Sequence, residues 1–350
     1  MELMHGGDWA GYEARYGRPP LDFSANVSPL GLPEGVRRGV IAALSEAHRY
    51  PDPLCRTLRQ RLGEREGLPL EQILCGNGAA DLIFRGVLAV SPRRALITAP
   101  TFGEYEQALT LADCQVERFF LREEEGFVLT SRLLEAITPG VEMVFLCDPN
   151  NPTGAVSDRQ LLLEVLERCR RTGALLVVDE CFGDFLEDQE AHTLRGQVGD
   201  FPNLLILKAF TKMYAMAGVR LGYCLCGDTV LLEKMAGAGQ PWGVSSLAQA
   251  AGLAALQETE YVSQVRQLIT RQRPVLQKGL EELGCTVWPG AANYLLFKVH
   301  RPGLTEALEQ RGITLRSCKN YHGLGPDYYR TAVRTEEENQ RLLAALREVL

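Results

Sequence analysis

Short apolar runs alternate with amphipathic stretches through the middle of the chain, and that alternation limits the fold more than any other feature. The runs are Ala95–Thr98, Cys114–Phe119, Glu142–Cys147, Ala174–Asp179, Leu204–Lys208 and Leu221–Cys226. Between two of them, Arg159–Arg171 carries Leu162, Val165, Leu166 and Cys169 at helical spacing. Alternating strands and helices predict an α/β domain with a mostly parallel central sheet. Continuously apolar segments such as Leu175–Val178 fit a sheet covered on both faces. From about Gln264 the pattern changes to a long charged helix, Gln264–Leu283, a strand-like Asn293–Val299 and a final helix, Glu336–Leu350. This predicts a smaller α+β domain. A chain of 350 residues fits two domains at roughly 100–200 residues each. The expected division is 46–261 for the large domain, with 1–45 and 262–350 forming the small domain and an N-terminal substrate segment.

Charge and composition narrow the function. A net charge of −7 argues against a nucleic-acid partner, which selects for a basic face, but leaves room for a locally basic pocket. No apolar run reaches the ~20 residues of a membrane span, and Met1–Asp8 lacks the pattern of a signal peptide. A cytoplasmic location is therefore expected. The ten cysteines are scattered, mostly in apolar segments, as expected of intracellular thiols rather than a disulfide framework. Cys224 and Cys226 should share one face of a strand, yet no second pair stands at ligand spacing, so no metal is expected.

Five segments carry residues suited to chemistry. Gly76-Asn77-Gly78-Ala79-Ala80-Asp81 follows the short apolar strand Ile73–Cys75 and opens a helix. Small residues there let backbone N–H groups approach an anion, although the same residues also read as a turn. Phe102 follows the run ending at Thr98 and is placed either to cover a ring or to pack. Asn151, in Asp148-Pro149-Asn150-Asn151-Pro152-Thr153-Gly154, can donate to a ring oxygen from what is also a turn. Asp179 ends a strand, where a carboxylate reaches the crevice in which open α/β sheets bind ligands. Lys212 lies in Thr211-Lys212-Met213-Tyr214, eight residues before Arg220. The Thr211 hydroxyl and the Arg220 guanidinium both suit a phosphate. A nucleophilic lysine, an acid, an aromatic plate and a phosphate cradle are together what pyridoxal 5′-phosphate requires of a protein.

In these motifs the chain resembles the fold-type-I, class I and II aminotransferases, and within them the histidinol-phosphate aminotransferase branch. The resemblance covers essentially the whole chain. It implies pyridoxal 5′-phosphate as cofactor, Lys212 as the lysine that carries it, Asp179 on the pyridine nitrogen and Asn151 on the ring oxygen. It also implies Arg220, Thr211, Gly78 and Ala79 around the phosphate and Phe102 against the ring. Lys208, twelve residues before Arg220, is read as a structural neighbour. The tyrosine matching Tyr50 serves the partner subunit's cofactor in this family, which implies a homodimer.

A closer resemblance is to the threonine-phosphate decarboxylases of cobalamin biosynthesis. It is carried by His5-Gly6-Gly7, by Asp22-Phe23-Ser24-Ala25-Asn26-Val27-Ser28-Pro29-Leu30-Gly31, by Gln240-Pro241-Trp242, and by Tyr329-Arg330-Thr331-Ala332-Val333-Arg334 with Arg316 upstream. It implies that Arg330 clamps the substrate carboxylate, suited by its fork. His5, Gly6, Asn26 and Arg316 are implied to hold the substrate and its phosphate, with Asn151 near the amino-acid end. Arg334 is read equally as a ligand or as half of an ion pair. Aminotransferases usually carry a tyrosine three residues after the aspartate; here Phe182 cannot donate, which these decarboxylases also tolerate. Three functions follow for comparison: threonine-phosphate decarboxylation, histidinol-phosphate transamination, and a non-catalytic regulator. The last requires loss of the lysine or the aspartate, and both positions are filled. Threonine phosphate and serine phosphate differ by one methyl, a discrimination of ~1–3 kcal/mol in an apolar pocket.

Overall fold

The computed structural model describes residues 5–350. In chain order its strands are β1 (Leu21–Asp22), β2 (Ile73–Gly76), β3 (Arg94–Ala99), β4 (Gln115–Phe120), β5 (Met143–Cys147), β6 (Leu175–Asp179), β7 (Leu204–Ala209), β8 (Gly222–Cys226), β9 (Thr286–Trp288), β10 (Tyr294–Lys298), β11 (Ile313–Thr314), β12 (Arg316–Ser317) and β13 (Tyr328–Ala332). Seven of them form the central sheet, in the order β2-β8-β7-β6-β5-β3-β4. From β4 to β7 neighbours run parallel, while β8 is antiparallel to both β7 and β2.

Side-chain alternation divides this sheet between two cores. Val144, Leu146, Leu176 and Val178 enter one, whereas Met143, Phe145, Cys147, Leu175 and Val177 enter the other. Every residue of β5 and β6 is buried, which explains their unbroken apolar character. Cys224 and Cys226 lie in the same core, and all ten cysteines are buried and free. Helices cover both faces. The helix Arg159–Thr172 starts where the Asp158 carboxylate accepts from the Leu161 N–H at 3.0 Å, and it buries Leu162, Val165, Leu166 and Cys169.

A second, antiparallel sheet runs β12-β13-β10-β9. The helix Thr259–Glu282 packs against β9 and β10 of this sheet, and the helix Glu336–Val349, opened by a capping box between Thr335 and Glu338, packs against that helix. The long helix starts at Thr259 rather than Gln264 and accommodates Pro274. The N-terminal segment joins this region: β1 pairs in parallel with β11, and the Ala332 N–H donates to the Phe23 carbonyl at 2.9 Å. That pairing carries Ser24–Asn26 to the boundary between the two sheets. No helix among the described residues is long and apolar enough to cross a membrane.

Candidate active site

The carboxyl ends of β3, β5, β6 and β7 converge on a cavity of about 220 Å³. Asp179 is the last residue of β6, Phe102 and Asn151 follow β3 and β5, and Lys212 sits in the short helix Phe210–Met213 after β7. Such loops flank the ligand crevice of open α/β sheets. Lys212, Asp179, Phe102, Asn151, Ala79, Thr211 and Arg220 line the cavity from the large sheet. His5, Gly6, Asn26, Arg316 and Arg330 close it from the other side. Residues far apart in sequence thus come together around one space. Gly78 stands just behind the wall, and Tyr50 lies outside it.

The Lys212 side chain is half-buried in the cavity wall. Burial first, then the positive charge of Arg330 and of Arg220, pull its pKa down to about 8 against the opposing pull of Cys181 and Asp179. Its Nζ lies 5.6 Å from the Phe182 ring centroid. Lys208 has a different setting. It pairs with Glu180 at 3.2 Å in a separate small cavity behind the site. Burial is the largest single influence and opposes its charge, but the carboxylates of Glu180, Glu66 and Asp184 together outweigh it and keep Lys208 protonated. A permanently charged amine is no nucleophile, so the electrostatics separate the two lysines as the spacing to Arg220 did.

Asp179 is buried and oriented by two donors. The Tyr105 hydroxyl donates to Oδ2 at 2.6 Å and the Cys181 N–H to Oδ1 at 2.9 Å. Burial and the neighbouring Asp179 charge push the Tyr105 pKa well up, so the phenol stays protonated and remains a donor. We expect Tyr105→Phe to lower stability by about 1.5–3 kcal/mol, the range for a hydrogen bond to a charged group. Chemical denaturation reads this directly, and an unchanged midpoint would remove Tyr105 as the holder of Asp179.

Gly78, Ala79, Thr211 and Arg220 gather at one end of the cavity as a candidate anion site. Gly78 precedes the helix Ala79–Val90 with φ +83°, which disfavours any side chain. A Cβ there would also lie 2.6 Å from an Arg220 guanidinium nitrogen. Glycine at 78 therefore allows the guanidinium to lie against the helix N-terminus, whose N–H groups attract negative charge.

The opposite wall is cationic. Arg316 and Arg330 face each other directly across β12 and β13. Like charges in that relation repel, and negative charge placed between them relieves the repulsion. Arg330 is buried, donating to Asn151 Oδ1 at 2.5 Å and to the Ser24 carbonyl at 2.7 Å, while its Nε is buried without a partner. Arg316 donates to Asn320 Oδ1 at 2.8 Å. Asn26 is 2% exposed, and both polar atoms of its amide lack partners. Buried polar groups are rarely left so, at about 1–3 kcal/mol each, and this marks a ligand position. His5 Nε2 meets Glu104 Oε1 at 2.9 Å. Arg334 lies outside the cavity wall and pairs with Glu338 at 2.8 Å, which settles it as half of an ion pair.

Sequence reasoning did not single out Tyr105, Glu104 or Tyr321. Tyr105 and Glu104 follow Phe102 in the first turn of the helix Gly103–Leu111. Tyr321, between β12 and β13, brings its hydroxyl 3.5 Å from Asn151 Oδ1. Their adjacency to Phe102 and Arg316 was the available signal, but which side chain turns inward is set by helix phase and loop path.

The aminotransferase class I and II profile matches residues 18–346. The chain belongs to this family. Pyridoxal 5′-phosphate is its cofactor, and the cavity's half-buried lysine, buried aspartate and candidate anion site fit that group. Among relatives of this aminotransferase-family chain, threonine-phosphate decarboxylase of Salmonella typhimurium strain LT2 is 40% identical over 333 residues, covering 94% of this chain and 91% of that protein. Histidinol-phosphate aminotransferase of Symbiobacterium thermophilum is 36% identical, covering 94% and 90%. The crystal structure of the histidinol-phosphate aminotransferase from Clostridium acetobutylicum superimposes with a TM-score of 0.87 at 26% identity, covering 94% and 98%.

Proposed function

We propose that this enzyme decarboxylates L-threonine O-3-phosphate to (R)-1-amino-2-propanol O-2-phosphate, a step of cobalamin biosynthesis. The observation that carries the reading is the facing pair Arg316 and Arg330 beside the unpartnered Asn26 amide, in one cavity with Lys212. Two cationic anchors suit a small amine with two anionic ends. The 40% identity to a threonine-phosphate decarboxylase supports it, as does Phe182, which puts an apolar ring where a transaminase usually has a donor.

Lys212, Asp179, Asn151, Phe102 and the Gly78–Ala79–Thr211–Arg220 cluster would hold the cofactor. When bound, pyridoxal phosphate supplies an acceptor for the electron pair released as the Cα–carboxylate bond breaks. The Asp179 carboxylate would favour a protonated pyridine nitrogen, which sustains that acceptor. Arg330 binds the substrate carboxylate through its fork, and its bond to Asn151 fixes the direction of approach. Arg316, His5 and Asn26 hold the phosphate. Fixing both ends would set which Cα bond is presented for cleavage. Lys212, with a pKa of about 8, would deliver a proton from its ammonium form to Cα in place of the departed carbon dioxide, and solvent would then reprotonate Nζ.

The test is product analysis with threonine phosphate, serine phosphate and histidinol phosphate, the last with 2-oxoglutarate. Carbon dioxide from threonine phosphate is expected. Rapid glutamate formation from histidinol phosphate, without carbon dioxide from threonine phosphate, would overturn the decarboxylase reading and favour transamination.

We infer a homodimer as well. Tyr50 is 79% exposed and stacks on Trp242, with ring centroids 4.5 Å apart, away from its own chain's cavity. An exposed aromatic pair of this kind fits a partner's site. Mixed dimers of Tyr50→Ala and Lys212→Ala chains should recover activity that neither parent shows, because one site then carries neither lesion. No recovery despite proven mixing would exclude sharing.

A further inference from the structure

The pocket is lined by Lys212, Arg220, Arg316 and Arg330, yet it also holds a carboxylate, Glu104. Beside an anionic substrate that charge is unfavourable unless it is engaged elsewhere. Glu104 is the second residue of the helix Gly103–Leu111, where the positive helix end favours an acid. Its side chain is 13% exposed, and Oε1 meets His5 Nε2 at 2.9 Å. Oε2 is buried with no hydrogen-bond partner. The carboxylate is therefore committed to the His5 ring.

His5 needs such a hold. Its backbone neighbours are anchored, since the Gly7 N–H donates to Ser24 Oγ at 2.8 Å and the Trp9 indole N–H to Asp22 Oδ2 at 2.8 Å. The His5 side chain itself is 53% exposed, and beyond Glu104 it has a tilted contact with Phe102 at 6.2 Å between centroids. With Nε2 engaged, Nδ1 is the ring's other polar atom, and the hydrogen bond made by one nitrogen determines what the other offers.

We propose that Glu104 is a positioning residue for phosphate recognition: its carboxylate accepts from Nε2–H and holds the doubly protonated His5 ring across the pocket mouth, so that Nδ1–H donates to the substrate phosphate. The inference rests on the assignment of His5 and Arg316 to the phosphate end. Among the described residues the Glu104 carboxylate pairs with His5, so its effect is expected at the phosphorylated end of the ligand.

The experiment is a double-mutant cycle on the holoenzyme with His5→Ala, Glu104→Ala and both together, using L-threonine O-phosphate and free L-threonine. Each single variant is expected to raise KM for the phosphorylated substrate ~10-fold, the size of one charge-assisted hydrogen bond, and to change kcat far less. The double variant should lose no more than either single one. Glu104→Gln, which keeps an oxygen acceptor, should recover part of the loss, and it serves as the test if the alanine variant does not fold. KM for free threonine should move several-fold less. Multiplying effects in the double variant, or equal losses with both substrates, would overturn the proposal. If the wild type releases no carbon dioxide, the same cycle is read as the Kd of threonine phosphate from the cofactor absorbance. Coupling between residues 5 and 104 there supports the positioning role and its absence refutes it, whatever the reaction proves to be.

Discussion

Lys212→Ala is expected to abolish turnover and the visible absorption of the lysine-bound cofactor, whereas Lys208→Ala is expected to retain both. The two residues differ by one turn of chain but not by burial. Lys212 faces the cavity with its charge disfavoured by burial and by Arg330, so a large fraction is a neutral amine near pH 8. Lys208 is held as a cation against Glu180. Removing Lys208 leaves Glu180 buried beside Thr193 alone among hydroxyls and costs about 3–5 kcal/mol of stability, the range for a broken buried ion pair. Its variant should therefore melt earlier yet keep the chromophore. Loss of the chromophore in Lys208→Ala, with retention in Lys212→Ala, would reverse the assignment. The pH dependence has a definite sign. Attack on the cofactor aldehyde needs the neutral amine, which increases as pH rises through about 8. Stopped-flow reconstitution of the apoenzyme should accelerate from pH 6 to 8 and level off above.

Arg316→Ala is expected to lower kcat/KM for threonine phosphate by ~100-fold, the scale of a lost positioning contact, and to affect the weak reaction with free threonine far less. Arg330→Ala should harm both substrates, because both carry the carboxylate. This contrast follows from position. Arg330 lies deep, fixed by Asn151 and Ser24, while Arg316 stands opposite it on the edge strand β12, bonded to Asn320. Truncating Arg330 also leaves the Asn151 and Ser24 oxygens without their donor, so part of its loss will appear as reduced stability. Steady-state kinetics with the two substrates separates these roles. Equal losses with both substrates in Arg316→Ala would remove it from the phosphate end.

The central sheet was legible in the sequence because each strand is a local apolar run buried on both faces, as in Met143–Cys147 and Leu175–Asp179. The candidate cofactor-site residues were legible for a related reason. Phe102, Asn151, Asp179 and Lys212 each sit at or just past the end of such a run, and strand ends in this topology share one edge. Gly78 could be read because a left-handed backbone position calls for glycine. The candidate substrate residues were proposed by resemblance alone, since nothing local ties His5 or Asn26 to Arg330.

What the tertiary structure decided is the set of pairings between distant segments. Strand order placed β8 antiparallel between β2 and β7, and so brought the Gly78 turn against Arg220. Pairing of β1 with β11 carried Ser24 and Asn26 to Arg330, and the register of β12 on β13 set Arg316 opposite it. Helix phase after Phe102 turned Tyr105 towards Asp179 and Glu104 towards His5. The physical reason is one of range. Apolar periodicity and turn chemistry act over a few residues and are written locally. Hydrogen-bond partners and charge separations depend on how whole elements pack, which is why the same sequence displays its lysine and aspartate openly but not the tyrosine and glutamate that orient their surroundings.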